Sequence, residues 1–204
     1  DEQLAAIFDA CTQADLHCVR CNPLQMPDGP FDYGDYLSKL IQRYRHVVDT
    51  LARPRGLKLI FETHYNSCVC SPGLAYAVLR EFDPQELGVI FDLPNFAREG
   101  EIQPELAVAV LKPWIDCVHI GGAYRVTQQR DHFGGRIVTT KFCPVPESDI
   151  NVANYLNALR QAGVAAPWLI EEYSNVADGT QKLRDTATYL DAIRNQPATV
   201  VEAN

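Results

Sequence analysis

Four side chains that can bind a metal ion or move a proton each stand at or near the end of a short apolar run in this 204-residue sequence. They are three carboxylates and one imidazole, from Glu62, Asp92, His119 and Glu171. If the fold crowded them into one place, the carboxylates would repel one another unless a divalent cation neutralised them. Three oxygen ligands with one nitrogen ligand suit Mn²⁺, Mg²⁺ or Co²⁺, and they are compatible with Zn²⁺. The pattern predicts one divalent metal ion.

The apolar runs that lead to these residues are typical of strands buried on both faces of a parallel sheet. The predicted strands are Leu57–Glu62, Leu87–Asp92, Ile115–Ile120 and Trp168–Glu171. Strands that alternate with helices form right-handed βαβ units, and in a barrel the carboxyl ends of the strands converge at one mouth. An acid at the end of one strand is commonly a helix cap, but its recurrence in successive units favours a shared site.

The number of these units bears on whether the sheet closes. About six βα units can be counted if a strand over 16–21 and a weak strand over 137–143 are included, whereas a closed TIM barrel has eight strands. Over residues 121–136, the sequence predicts a long loop. We therefore expect one (β/α)8 domain over residues 1–204 that lacks its first one or two units, because the chain starts without Met inside a predicted helix. An open doubly wound sheet is the alternative, which the lack of a G-x-G-x-x-G or P-loop motif disfavours.

The composition limits the kinds of partner. The formal net charge of −8 argues against nucleic acid or an anionic membrane surface as a partner. No apolar run approaches the ~20 residues that span a bilayer. The seven cysteines have no zinc-site spacing, and Cys18 and Cys117 lie in predicted strands, where we expect small buried apolar side chains. This cysteine usage is typical of a cytoplasmic protein.

The four strand ends resemble, in order and spacing, the sugar isomerase/epimerase superfamily of xylose-isomerase-like TIM barrels, which includes inosose dehydratases and an AP-endonuclease branch. The segments that carry the resemblance are Glu62–His64, Gly88–Asn95, Val118–Ile120 and Pro167–Tyr173. The resemblance implies that Glu62, Asp92, His119 and Glu171 hold the metal ion. Glu172 competes with Glu171 for the last position, and Glu171 is preferred because it follows the apolar run directly.

The sequence departs from this superfamily in its sugar-binding residues. Ketose 3-epimerases carry a histidine where this chain has Asn95, and a second glutamate where it has Cys68. Arg125 matches a substrate-binding arginine, and His64 is a further candidate substrate ligand. The predicted substrate-binding residues are therefore His64, Asn95 and Arg125. The additional ligands of the multi-metal AP-endonuclease branch are not found.

The resemblance implies a metal-dependent sugar isomerase or epimerase that acts on a small carbohydrate or a similar polyol ketone. Glu62 and Glu171 would be the acid/base pair that removes the proton α to a carbonyl, giving a metal-stabilised enediolate. The residues leave open an inosose-dehydratase-like lyase, a metal-dependent hydrolase on the same barrel, and a non-catalytic metal- or sugar-binding barrel. The resemblance also makes a homodimer plausible.

Overall fold

Helices and strands alternate through most of the chain. The computed structural model describes residues 2–100, 102–175 and 178–196, so residues 199–204, for which the sequence predicts a tail, lie outside the described residues. The described helices are α1 (Glu2–Gln13), α2 (Tyr33–Val47), α3 (Pro72–Leu79), α4 (Leu93–Glu99), α5 (Pro104–Leu111), α6 (Val152–Gln161) and α7 (Gly179–Asn195). The described strands are β1 (Cys18–Arg20), β2 (Lys58–Glu62), β3 (Leu87–Asp92), β4 (Ile115–Ile120), β5 (Gly122–Arg130), β6 (Arg136–Cys143) and β7 (Trp168–Ile170).

Five of the strands form one sheet, in the order β1-β2-β3-β4-β7. β2 runs parallel to both β1 and β3, and β7 runs parallel to β4. In these registers Arg20 is opposite Ile60, and His119 is opposite Leu169. The sheet confirms the predicted βα arrangement, since the four predicted strands that end in functional residues all belong to it.

The chain divides into two compact units. The first comprises the residues up to Phe91 together with Pro113–Asp116, and its core contains the fully buried Phe61 of β2. Tyr44 of α2 stacks on this ring, with 5.6 Å between the ring centroids. α2 continues into a π-helical turn and a short 3₁₀ turn, and Gly56, with φ at 66°, ends it in the left-handed conformation that favours glycine. β2 starts two residues later, so the helix end sets where β2 begins.

An ion pair crosses β3 at its amino end. The Lys58 Nζ lies 2.6 Å from Asp116 Oδ1, and a Cβ atom on Gly88 would lie only 1.5 Å from Asp116 Oδ2. Glycine is therefore required at position 88, because any side chain would displace the Asp116 carboxylate. Burial raises the pKa of Asp116 above its ordinary value, and the hydrogen bond and charge of Lys58 oppose this shift.

The second unit comprises Asp92–Lys112 and the chain from Cys117 onward. Tyr155 of α6 is fully buried, and its ring lies 5.9 Å from that of Phe96 in α4. Its hydroxyl donates a hydrogen bond to the Ile102 carbonyl at 2.7 Å, so the one polar group of this buried side chain is satisfied. These contacts hold α4, and with it the Asp92 end of β3.

For residues 121–143, the strand predicted over 137–143 is confirmed as β6, but the loop predicted over 121–136 and the place of that strand in the barrel are wrong. Instead of a long loop and a weak barrel strand, β5 and β6 form an antiparallel hairpin, a separate two-stranded sheet. At its tip, the Asp131 carboxylate accepts hydrogen bonds from the backbone N–H groups of Phe133 and Gly135 at 2.9 and 2.8 Å. Most side chains of the hairpin are exposed, so it lacks the alternation of apolar and polar residues by which a half-buried strand is recognised.

The prediction of burial holds for Cys117 and fails for Cys18, which is exposed. The reason is that β1 has only three residues and lies at the end of the sheet order. All the cysteines are free thiols, and burial raises the pKa of Cys21 to about 12, which keeps that thiol protonated at neutral pH.

Among the described residues, no helix combines the length and the apolar character needed to cross a bilayer.

Candidate metal centre

The structure brings together the four residues whose types first suggested a metal site. Glu62, Asp92, His119 and Glu171 each offer one ligand atom, and these four atoms lie within 4.8 Å of one another. Glu62, Asp92 and His119 are buried, with at most 6% of their surface exposed, and Glu171 is partly buried. Buried carboxylates need a compensating cation, so the donor set fits a divalent ion with three oxygen ligands and one nitrogen ligand.

Asp92 is both a helix cap and a member of this group. Its Oδ1 accepts a hydrogen bond of 2.7 Å from the backbone N–H of Asn95, which caps the start of α4. Its Oδ2 faces His119 Nδ1 at 3.3 Å, and Glu171 Oε1 lies 3.2 Å from the same nitrogen. The cap and the metal-site role that looked like alternatives for a strand-end acid therefore use different oxygens of one carboxylate.

The charge of His119 is set by its neighbours. Burial by itself lowers the pKa of the imidazolium, but the hydrogen bonds with Asp92, Cys117 and Glu171 outweigh this effect and raise its pKa to about 11. Between these two carboxylates the ring is therefore a cation at neutral pH. A metal ion would replace that positive charge, because an imidazole binds a metal only through an unprotonated nitrogen.

Glu62 occupies the last position of β2. The next residue is tied to β3, because the backbone N–H of Thr63 donates to the Ile90 carbonyl at 3.2 Å. The Glu62 carboxylate forms an ion pair with the guanidinium of Arg20, which ends the neighbouring strand β1. Arg20 was not predicted as a site residue, since the strand predicted over 16–21 ends one residue later than β1 does.

The structure also separates the two adjacent glutamates after β7. Glu171 belongs to the group of four, whereas Glu172 Oε1 accepts a hydrogen bond of 2.7 Å from the backbone N–H of Ser174. The backbone of Glu171 is held by β4, since its N–H donates to the Ile120 carbonyl at 2.8 Å. A Cβ atom on Gly121 would lie 2.3 Å from the Glu171 carbonyl oxygen, so this approach requires glycine at position 121.

A cavity of about 430 Å³ opens beside His119 and Glu171. Leu169 and Leu183 supply apolar surface to it, and the flexible, charged side chain of Lys182 also lines it. Lys182 Nζ donates a hydrogen bond to the Ser174 carbonyl. Glu171 therefore borders a space into which a small molecule can enter.

The three predicted substrate-binding residues lie in three different settings. His64 follows β2 and lines a second cavity, described below. Asn95 is buried in the first turn of α4, where its backbone N–H bonds to Asp92. Arg125 is an exposed residue of β5, and its backbone N–H donates to Asp149 Oδ2 at 2.5 Å. Their predicted contacts with a substrate stay predictions.

Solved structures with low sequence identity share this fold. A xylose isomerase-like TIM barrel protein from Mycobacterium smegmatis, in complex with magnesium, matches with a TM-score of 0.68 and 19% identity over 93% of this chain and 64% of that chain. The 3-keto-D-glucoside 4-epimerase YcjR from E. coli matches with a TM-score of 0.69 and 14% identity over 94% of this chain and 70% of that chain. The probable 3-DHS dehydratase AsbF from Bacillus anthracis matches with a TM-score of 0.69 and 17% identity over 96% of this chain and 69% of that chain.

This chain thus spans 64% to 70% of the length of these relatives. No curated protein matches the sequence significantly. The family model described as a xylose isomerase-like TIM barrel matches residues 2–193, and this chain belongs to that family.

Proposed function

We propose that this protein is a divalent-metal-dependent isomerase or epimerase of sugars or of sugar-like polyol ketones. The observation that carries the proposal is the group formed by Glu62, Asp92, His119 and Glu171, whose ligand atoms lie within 4.8 Å of one another. A similar fold in an enzyme named as a keto-glucoside epimerase supports the reaction class. A similar fold crystallised with magnesium supports a divalent ion, and we propose Mn²⁺, Mg²⁺ or Co²⁺, with Zn²⁺ as the alternative.

The four residues of the group would hold the ion through one atom each. A divalent ion there supplies Lewis acidity, which polarises a substrate carbonyl and acidifies the adjacent C–H bond. Side chains of this protein carry out the proton transfers.

Glu62 and Glu171 form the proposed acid/base pair. Arg20 fixes the position of the Glu62 carboxylate, and Glu171 is the most exposed side chain of the group, so it can reach a molecule in the cavity that it lines. One carboxylate removes the proton α to the carbonyl, and an enediolate results. Return of a proton to the opposite face of the same carbon gives an epimer, and delivery to the neighbouring carbon gives an isomer.

A dehydratase is the second candidate, supported by the similar fold of a probable dehydratase. It would use the same proton abstraction, followed by loss of a hydroxyl group from the β carbon. The two candidates therefore share the first step and differ in the fate of the intermediate.

Solvent exchange tests the shared first step. The Mn²⁺-loaded protein is incubated in D₂O with a panel of ketoses and an inosose, and deuterium uptake α to the carbonyl is followed by NMR. We expect metal-dependent uptake that falls about 100-fold or more in Glu171→Gln and persists in the matched variant Glu172→Gln. Uptake without metal, or full activity of Glu171→Gln, would contradict the proposal, and loss of water from the substrate would identify the dehydratase.

A further inference from the structure

A second cavity, of about 210 Å³, lies between the loops that follow β1 and β2. The residues that line it are Arg20, Asn22, Pro23, Gln25, His64, Tyr65, Asn66 and Ser67. None of these described residues is acidic, although the chain carries a net charge of −8. Amide, hydroxyl and guanidinium groups instead give the cavity hydrogen-bond donors and one permanent positive charge.

Arg20 places that charge beside the candidate metal centre. It ends β1 at the register position opposite Ile60, and its guanidinium pairs with the buried Glu62 carboxylate. The Arg20 side chain nevertheless stays 44% exposed. Since a guanidinium carries several N–H donors in a planar fork, it can hold Glu62 and still bind a second carboxylate.

The walls of this cavity are fixed by backbone contacts between the two loops. Gln25 and Ser67 form an antiparallel bridge, and the Met26 N–H donates to the Asn66 carbonyl at 3.3 Å. The Tyr36 hydroxyl lies 2.6 Å from the Gln25 carbonyl oxygen, to which it donates. Asn66 has a φ of 60°, a left-handed conformation of the kind that clusters at ligand sites. A cavity with such fixed walls loses little entropy when a ligand binds.

His64 adds an acceptor to this set of donors. Its Nδ1 lies 2.6 Å from the Tyr65 carbonyl oxygen, which can only accept, so Nδ1 carries the proton. In the neutral ring the other nitrogen, Nε2, is then an acceptor for a ligand hydroxyl group. Arg20 and His64 together suit a molecule with an anionic group next to a hydroxyl group.

We propose that this cavity binds a carboxylate group of the substrate, with Arg20 as its ligand, so that the substrates are acidic keto-polyols. This inference rests on the proposed function, since it assigns the substrate class of the same centre. A carboxylate fits better than a phosphate, because Arg20 is the only permanent cation among the described lining residues. Because Arg20 also contacts Glu62, the carboxylate is attached close to the reacting carbon.

The matched probes D-gluconate and D-glucitol test this assignment, because they share a six-carbon polyol chain and differ in the carboxylate. Binding of each is measured by calorimetry to the wild-type protein, with and without Mn²⁺. We expect gluconate to bind at least about tenfold more tightly than glucitol, and this preference to persist without Mn²⁺, which excludes chelation of the metal as its cause. Equal binding of the two probes would overturn the inference.

Variants of Arg20 assign the preference to its guanidinium. Arg20→Gln is expected to lose the preference for gluconate over glucitol, and Arg80→Gln, which changes an exposed arginine of the first unit, is expected to keep it. Arg20→Lys retains the charge without the planar fork and should show a reduced preference, so it provides the test if Arg20→Gln does not fold. A preference that survives in Arg20→Gln would overturn the assignment, as would tighter, Arg20-dependent binding of D-glucitol 6-phosphate.

Metal content separates the failure of this inference from the failure of the proposed function. If the wild-type protein binds no divalent ion, the proposed function fails, whereas an Arg20-dependent preference for gluconate still supports a cavity that binds a carboxylate. If the protein binds an ion and exchanges substrate protons but does not distinguish gluconate from glucitol, only the inference about the substrate class fails.

Discussion

At the scale of single residues, Asp92 and Gly121 decide whether the candidate ligands meet. Asp92 divides its two oxygens between the cap of α4 and the neighbourhood of His119. Gly121 lacks the side chain that would collide with the backbone of Glu171. At each of these two positions, a substitution can separate the structural role of the residue from its proposed role in metal binding.

Asp92→Asn is expected to lose the metal and keep the helix cap. Asparagine is as good an N-cap as aspartate, so the stability of the metal-free protein should change by less than about 1 kcal/mol. Its neutral amide is a poor metal ligand, so the metal affinity should fall by about 100-fold or more. Asp92→Ala removes the cap as well and should cost roughly 0.5–2 kcal/mol. Metal titration and urea unfolding measure the two effects, and wild-type metal affinity in Asp92→Asn would exclude Asp92 as a ligand.

Gly121→Ala is expected to displace Glu171, because the added Cβ would lie 2.3 Å from its carbonyl oxygen. The strain should cost roughly 1–3 kcal/mol of stability and reduce the affinity for the metal. Gly73→Ala is the control, since nothing lies within 4 Å of its added Cβ. Urea unfolding and metal titration of both variants check the result; equal behaviour of the two would show that the close approach at position 121 carries no cost.

At the scale of secondary structure, the sequence predicts the parallel strands and misses the hairpin. β3 and β4 lie at their predicted bounds, because continuous apolar runs between helices have few other interpretations. β5 and β6 are exposed at most positions, so neither has the apolar pattern of a buried strand. α4 was also missed, because it begins directly at the end of β3, without a loop to separate them. Arg20 was missed for a different reason, since a three-residue strand at the end of the sheet carries too little pattern to locate its last residue.

The ion pair across β3 predicts a pH dependence of stability. Because burial raises the pKa of Asp116 in the folded protein, the native state binds a proton more tightly than the unfolded state does. The stability of the wild type relative to Asp116→Asn should therefore fall as the pH rises from about 3.8 through the higher folded pKa.

Asp9 provides a control with the opposite sign. The hydrogen bond from Arg55 lowers the pKa of Asp9, so the stability of the wild type relative to Asp9→Asn should fall as the pH decreases below about 3.8. Urea unfolding across this pH range measures both differences. A wild type that gains stability over Asp116→Asn as the pH rises would contradict the first prediction.

At the scale of the whole molecule, the proposed ligands are spread along the sequence from residue 62 to residue 171. Their types and order could be predicted because each ends an apolar run, but the distances between them could not, since these depend on the register of the strands. Membership of the family confirms the predicted fold, and the substrate and the reaction stay proposals for a chain that spans 64% to 70% of the length of its relatives.

A ligand set assembled only by the fold links metal binding to stability. An ion that binds the native state and not the unfolded chain should stabilise the protein by about 2.7 kcal/mol at a concentration 100 times its Kd. We therefore expect added Mn²⁺ to raise the melting temperature, EDTA to reverse the rise, and Asp92→Asn to show no rise. An equal rise in Asp92→Asn would place the bound ion elsewhere on the molecule.

The metal content of the purified protein shows whether Glu62, Asp92, His119 and Glu171 bind an ion. Elemental analysis after reconstitution with Mn²⁺ or Co²⁺ compares the wild type with the double variant Glu62→Gln/Asp92→Asn. We expect about one divalent ion per wild-type chain and almost none in the variant. A wild type that binds no ion, or a variant that binds as much as the wild type, would show that Glu62, Asp92, His119 and Glu171 are not a metal centre.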